Sequence, residues 1–171
     1  ATLGSVGMRL SDAPAKNRQF TVCGLDNCPE FVRMCQLRNL SVVLGDMCCL
    51  PYLDNSFDLV MMIASFHHLT TVERRQMCLQ ECYRVLQPGG TLVLSVWSIN
   101  QPEKTRRVFT RYGDHIVPWI QRDKDTGKTQ TYNRYYYLFT IPELTQLCCE
   151  AGFTVKNTLW DCGNEIFILE S

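Results

Sequence analysis

The sequence has no net charge, since 17 Lys and Arg balance 17 Asp and Glu. Charge alone therefore announces neither a nucleic-acid nor a membrane partner. No apolar run approaches the roughly 18 residues that a membrane-spanning helix needs, so no membrane partner is expected. There is no Cys-x-x-Cys pair, although there are ten cysteines. They come as Cys48-Cys49, Cys148-Cys149 and the helix-spaced Cys78 and Cys82, among others. Such spacing reads as reduced, mostly core thiols of an intracellular protein rather than as a disulfide framework or metal site. No internal repeat or low-complexity segment is visible.

What is there begins with Phe57 to Trp97. Leu59 to Ala64 carries apolar residues on both parities, which suits a strand covered on both faces, as in a parallel sheet. Thr70-x-x-Glu73 predicts a capping box, and Val72, Leu79, Cys82, Tyr83 and Leu86 then recur at helical spacing. Pro88-Gly89-Gly90 stops that helix, and Thr91 to Trp97 is again β-branched and apolar. Strand, helix and strand make a βαβ unit, and in open α/β sheets ligands sit at the carboxyl ends of such strands. Ser65 to His68 and Trp97 to Gln101 are the residues to watch.

The 171 residues suggest one domain with enough core to fold alone. Ala1 to Met8 could be a first strand, and Arg9 to Gln19, with Pro14, a loop or broken helix. Phe20 to Leu25 predicts a strand ending at Asp26, Pro29 to Leu37 a helix, and Leu40 to Leu44 a strand ending at Gly45-Asp46. The doubly wound α/β class follows from the alternation. Pro102 to Arg134 shows little sustained periodicity and holds eight Lys or Arg against four acids. A connection this long inside a compact domain is usually functional or disordered. Thr140-x-x-Glu143 caps a last helix running to Ala151-Gly152, and Phe153 to Leu159 and Glu165 to Leu169 predict two closing antiparallel strands.

Asp26 and Asp46 each follow a predicted strand. There an acid can accept hydrogen bonds from both ribose hydroxyls or from an adenine amine, although strand-end aspartates are also ordinary turn formers. Gly24-Leu25-Asp26, Gly45-Asp46-Met47, Leu50-Pro51 with Phe57-Asp58, and Leu86-Gln87-Pro88-Gly89-Gly90 resemble the class I methyltransferases that use S-adenosylmethionine. A narrower likeness is carried by His67-His68-Leu69 through Arg75, Val96-Trp97 with Gln101, Gly113-Asp114 with Val117-Pro118-Trp119, Arg134 to Phe139, and Glu143 to Phe153. These segments resemble the tRNA wobble-uridine carboxymethyl methyltransferases. Such enzymes esterify the carboxylate of a 5-carboxymethyluridine, with a small zinc-binding activator protein as partner.

The resemblance implies a seven-stranded-type, Rossmann-like, mostly parallel sheet with an antiparallel C-terminal strand. It implies S-adenosylmethionine bound by Gly7, Asp26, Asp46, Met47, Ile63 and Ser65, the anticodon loop of tRNA as substrate, and a cytoplasmic location with the nucleus left open. Because a carboxylate is already ionised at neutral pH, no general base is required and positioning groups are expected instead. His68, Arg134, Tyr136 and Asn164 are the leading candidates, with His67 and Tyr135 behind them. Two consecutive histidines at a strand's end are expected on opposite sides, one of them facing the site. No metal ligands are expected. Cations of the basic segment would track phosphates while aromatics of Tyr132 to Phe139 stack on an unpaired base, or the aromatics merely pin a long loop.

Two departures qualify this. The family's Gly-x-Gly-x-Gly loop would fall at Gly7-Met8-Arg9-Leu10-Ser11, where only the first glycine stands, and Ser5 replaces an acid. Before the last strand, Cys162-Gly163-Asn164-Glu165 replaces an Arg-Asp-Asn-Trp stretch. The expectation is a single domain over 1–171, N-terminally incomplete, with an insertion at about 102–139. Its alternatives are a non-catalytic pseudo-methyltransferase serving as a binding subunit, and a methyltransferase for a small carboxylic acid.

Overall fold

The computed structural model describes residues 5–10, 20–105, 107–122 and 126–171. Residues 1–4 of the expected first strand, 11–19 of the loop or broken helix expected over Arg9 to Gln19, and Arg106, Asp123, Lys124 and Asp125 of the basic segment lie outside them, while Arg9 and Leu10 fall in the first strand. Seven strands form one sheet: β1 (Ser5–Leu10), β2 (Phe20–Asp26), β3 (Val42–Leu44), β4 (Phe57–Ile63), β5 (Leu86–Trp97), β8 (Thr154–Asp161) and β9 (Asn164–Glu170). Their spatial order is β3-β2-β1-β4-β5-β9-β8. Three helices accompany them, α1 (Pro29–Gln36), α2 (Val72–Val85) and α3 (Ile141–Glu150).

The pairs β2–β3 and β4–β5 are parallel, and β9 runs antiparallel to both β5 and β8. The surprise is β1, which runs antiparallel to both neighbours, Ser5 opposite Leu25 and Leu10 opposite Phe20, with Val6 opposite Met61. Only residues 11–19 join β1 to β2, and a parallel crossover takes a dozen or more. An antiparallel return is what so short a connection permits. Five of the seven strands still share one direction and the last strand runs antiparallel, as expected; because β1 is reversed, only two of the six neighbouring pairs are parallel.

Alternation along the central strands decides what each face buries. Val60 and Met62 of β4, Leu92, Leu94 and Val96 of β5, and Phe167 and Leu169 of β9 join one cluster. Leu79, Cys82 and Val85 of α2 and Leu144 and Cys148 of α3 complete it, so both helices cover that face. Of the ten cysteines, all free, four are buried, three half-buried and three exposed, which makes "mostly core" too strong a reading. Among the described residues no helix is long and apolar enough to cross a membrane.

Two local expectations shift. The cap of α2 is Thr71, whose extended backbone lets its hydroxyl accept the Arg74 N–H at 3.3 Å, rather than Thr70. Thr140 and Glu143 do form the predicted reciprocal capping box on α3. The Pro88-Gly89-Gly90 turn is absorbed as an irregularity at the start of β5, where Phe57 pairs with Leu86 and Leu59 with Thr91. Gly89 sits at φ +77°, a conformation open to glycine, and a Cβ on Gly90 would come within 2.7 Å of the Gln87 carbonyl.

The segment expected to be irregular is largely a hairpin. β6 (Gly113–Arg122) and β7 (Thr129–Leu138) form a separate two-stranded antiparallel sheet, in register from Gly113 with Leu138 to Arg122 with Thr129. Gly113, His115 and Val117 alternate half-buried with exposed neighbours, a period-two pattern that hydropathy hides because His and Gly are not apolar. The hairpin is anchored by Arg75, buried on α2. Its Nε donates to the Leu69 carbonyl at 3.1 Å, Nη2 donates to the Tyr135 hydroxyl at 3.1 Å, and the guanidinium lies 3.6 Å from the Tyr137 ring centre. Tyr135 in turn donates to Asp114 across the hairpin.

Candidate functional site

Two cavities open at the carboxyl ends of β2, β3 and β4, and they share a wall. The first holds about 390 Å³ and is lined by Leu25, Asp26, Asn27, Cys28, Phe31, Gly45, Met47, Ser65, His68, Arg134 and Tyr135. Asp26 ends β2 almost fully buried, and its Oδ1 accepts the Cys28 N–H at 2.8 Å, which aims the carboxylate at the start of α1. Of the residues expected to hold a cofactor, Asp26, Met47 and Ser65 are brought together here.

The other three are not. Gly7 lies inside β1, between Cys23 and Val60, because β1 runs the opposite way from the strand the family pattern assumes. No described residue places a glycine loop at that edge. Asp46 turns away to the Arg74 guanidinium, which donates to both carboxylate oxygens at 3.1 and 2.8 Å, while its Oδ1 also accepts the Cys48 N–H at 3.0 Å. Its carboxyl pKa is lowered; burial pulls it up, but the Cys48 N–H and Arg74 outweigh that. Ile63, at the exposed end of β4, falls on the parity opposite to buried Met62 and lines neither cavity.

The second cavity, about 230 Å³, is lined by Ala64, His67, His68, Trp97, Arg107, Val117, Pro118, Trp119, Arg134 and Tyr136. His68 and Arg134 line both cavities. Its walls are aromatic: Trp97 and Tyr136 stack 3.9 Å apart and 9° from parallel. Two guanidiniums cover the rings, Arg107 at 4.3 Å from Trp97 and Arg134 at 4.2 Å from Trp119. Stacking uses the flat face of a guanidinium and leaves its in-plane N–H donors for an anion.

The two histidines do not point to opposite sides. Phe66–His68 is a turn of 3-10 helix, not an extension of β4, and Ala64 just before it has φ +52°. Successive side chains of such a turn are about 120° apart, so both rings reach the second cavity. His67 is buried; burial, then His68, pushes its pKa down to about 3, so the ring is neutral. His68 is also shifted down, by burial first; the Tyr135 carbonyl opposes this and Arg134 adds to it.

Asn164, expected in the site, lines neither cavity. It opens β9 after the turn made by Cys162 (φ +47°) and Gly163 (φ +86°), and its Nδ2 donates to the Asp161 carbonyl at 3.2 Å. Trp97 lies in the strand-end stretch Trp97 to Gln101 that the sequence marks, although no role is expected of it there. Arg107 and Trp119 carry no such local signal, because Trp119 enters with the folded hairpin and Arg107 with the connection before it. Among the described residues no cluster of His, Cys, Asp or Glu could hold a metal ion.

The first cavity fits the nucleoside end of S-adenosylmethionine: a buried carboxylate for ribose hydroxyls beside apolar Leu25, Phe31 and Met47. Sheet order and site together define a class I methyltransferase domain. Comparison with known proteins makes this specific. The methyltransferase domain family matches residues 3–94. The tRNA (carboxymethyluridine(34)-5-O)-methyltransferase of Schizosaccharomyces pombe is 31% identical over 189 residues, covering 98% of this chain and 82% of its own. A methyltransferase from Encephalitozoon cuniculi is 39% identical over 119 residues, and the match covers 67% of this chain and about half, 52%, of that protein. The S-adenosylmethionine-bound amino pentose methyltransferase CalS10 of Micromonospora echinaspora superposes with a TM-score of 0.63 at 20% identity, covering 85% of this chain and 72% of its own; that likeness speaks to fold. The chain belongs to the methyltransferase domain family, among the relatives of the tRNA (carboxymethyluridine(34)-5-O)-methyltransferases.

Proposed function

We propose that this chain is the catalytic domain of an enzyme that methylates the carboxylate of a 5-carboxymethyluridine at the tRNA wobble position. The observation that carries the reading is the pair of cavities joined at His68 and Arg134, one suited to a nucleoside cofactor and the other lined by aromatic rings under two guanidiniums. S-adenosylmethionine, when bound, supplies an electrophilic methyl group on a sulfonium.

The chain's own residues would position and shield. Asp26 accepts from ribose hydroxyls. Arg134, standing in the shared wall, holds the substrate carboxylate toward the first cavity with in-plane N–H donors, and Arg107 adds a second cation. Trp97, Tyr136 and Trp119 enclose the base and exclude water. Fixing the reacting groups in a dry site is worth roughly 7 to 11 kcal/mol, and an ionised carboxylate needs no base. Arg111, Arg122 and Lys128 on and beside the hairpin give phosphates a modest electrostatic track, so RNA affinity is weak and salt-sensitive.

The activator partner would enter at the β3 edge of the sheet, beside the first cavity. β3 is an edge strand, and Met34, Leu37, Leu40 and Leu44, on and beside α1 and β3, are all at least half exposed. An apolar edge of this kind is a liability unless something covers it.

The test is transfer of a labelled methyl group to tRNA bearing 5-carboxymethyluridine, with and without the activator. We expect a base-labile ester, lost in Arg134→Ala while cofactor affinity survives. A chain that binds cofactor yet transfers nothing in either condition would sink the reading. The antiparallel β1, with no glycine loop at the site edge among the described residues, favours one rival: a pseudo-methyltransferase acting as a binding subunit. Absence of any S-adenosylmethionine binding in a calorimetric titration would select it.

A further inference from the structure

The two neighbouring histidines of the second cavity are held in opposite tautomers. The Trp97 backbone N–H approaches His67 Nδ1 at 3.0 Å, so Nδ1 must be the unprotonated, accepting nitrogen. In a neutral ring the proton then sits on Nε2. That Nε2–H is buried and has no hydrogen-bond partner. His68 Nδ1 instead lies 2.8 Å from the Tyr135 carbonyl oxygen, which can only accept, so here Nδ1 carries the proton and Nε2 keeps its lone pair. The backbone thus assigns both tautomers, and the rings lie 4.7 Å apart at 77°.

Both rings line the same cavity. Its lining consequently sets one N–H donor, which has almost no accessible surface of its own, next to one nitrogen acceptor. A buried donor left unpaired costs about 1 to 3 kcal/mol, which an acceptor on an occupant would recover. The His67 ring is neutral throughout the physiological range, because burial holds its pKa near 3. Its donor is therefore fixed and does not depend on pH there.

We propose that His67 and His68 together read the imide edge of a uracil ring, His67 Nε2–H donating to a ring carbonyl and His68 Nε2 accepting the adjacent N3–H. The inference rests on the proposed substrate and says how its base is distinguished. Uracil presents an acceptor beside a donor on this edge, whereas cytosine presents the inverted pair, an amine donor beside the N3 acceptor. A site with both tautomers locked cannot adapt to the inversion. The aromatic walls would accept either ring, since stacking is tolerant of sequence. Discrimination therefore falls to the histidines, which act as specificity residues and not as proton carriers.

The experiment is an NMR titration of the chain, labelled with nitrogen-15 at histidine, with 5-carboxymethyluridine and with 5-carboxymethylcytidine, nearly identical in shape. In the free protein we expect an unprotonated Nδ1 at His67 and an unprotonated Nε2 at His68. On titration we expect the uridine to bind roughly tenfold or more tightly than the cytidine, as a site built on hydrogen bonds rejects a mismatched edge. Both Nε2 resonances should move only with the uridine. In His68→Leu the preference should collapse to within about twofold, whereas a merely structural role would weaken both nucleosides alike and leave their ratio unchanged. Equal affinities in the unaltered chain, or the reverse tautomer at either ring, would overturn the proposal while leaving the substrate reading intact. Should His68→Leu fail to fold, the tautomers and the nucleoside ratio of the unaltered chain still decide. Binding of neither nucleoside would overturn both the inference and the substrate reading beneath it.

Discussion

Trp97 and Tyr136 lie face to face, 3.9 Å between ring centres, and join the end of β5 to the β6–β7 hairpin. Trp97 ends a strand of the main sheet; Tyr136 belongs to the two-stranded sheet. The stack, with the Arg75 anchor, therefore fixes how the hairpin stands over the site. Tyr136→Ala should lower the unfolding free energy by roughly 3 kcal/mol, the usual cost of deleting a buried aromatic, and should expose the hairpin to proteolysis. Denaturant unfolding and limited digestion check this. Unchanged digestion would show that Arg75 and the His68–Tyr135 hydrogen bond hold the hairpin without the stack.

The two strand-end aspartates separate cleanly. Asp26 lines the first cavity, whereas Asp46 is an exposed partner of Arg74. Asp26→Ala should weaken S-adenosylmethionine binding by about 1 to 3 kcal/mol, the cost of removing an acceptor from a buried polar site. Asp46→Ala should leave that affinity unchanged and cost less than about 1 kcal/mol of stability, since exposed ion pairs contribute little. Calorimetry on both variants tests the contrast; an equal loss in both would return Asp46 to the site.

Why the sequence announced both aspartates and distinguished neither is instructive. Turn chemistry and strand-end position are local, and they mark Asp26 and Asp46 alike. What separates them is Arg74, 28 residues away on α2, and no local pattern shows that pairing. The same holds for the hairpin. Its aromatic run was legible, but the half-buried alternation of Gly113, His115 and Val117 does not look like a strand by hydropathy. The antiparallel β1 was readable in principle, from the short connection between Leu10 and Phe20 alone. Family spacing, counted back from Asp26, instead put Gly7 in a loop that this connection cannot build. The 3-10 turn at Phe66–His68 leaves no signal that distinguishes it from a continuing strand, so only the fold shows both histidines in one cavity.

The exposed edge offers a test of the partner. Leu37 and Leu44 are the most exposed of the apolar residues around β3, and neither belongs to the core cluster. Replacing both by Lys should leave the unfolding midpoint within the usual small range of surface changes, about 0.5 kcal/mol. The doubly substituted chain should nevertheless fail to co-purify with the activator and should gain solubility when expressed alone. Retained association would move the partner's surface elsewhere.

His67 links the site to acid stability. Its folded pKa is pushed from the ordinary 6.5 down to about 3 by burial, then by His68, so between those values the unfolded chain takes up a proton that the folded chain refuses. Stability contributed by the neutral ring is thus complete above about pH 7 and is lost as pH falls. At about 1.4 kcal/mol per proton per pH unit, the loss from pH 7 to pH 5 amounts to about 2 kcal/mol. This value hardly depends on the folded pKa, because pH 5 is still well above it. His67→Asn removes the titration while its amide oxygen can still accept the Trp97 N–H. Urea unfolding of the two proteins should therefore diverge on acidification, the unaltered chain losing about 2 kcal/mol more than the variant between pH 7 and pH 5. Parallel pH profiles would mean that the ring is protonated in the fold, and a protonated Nδ1 would place two donors face to face at the Trp97 N–H.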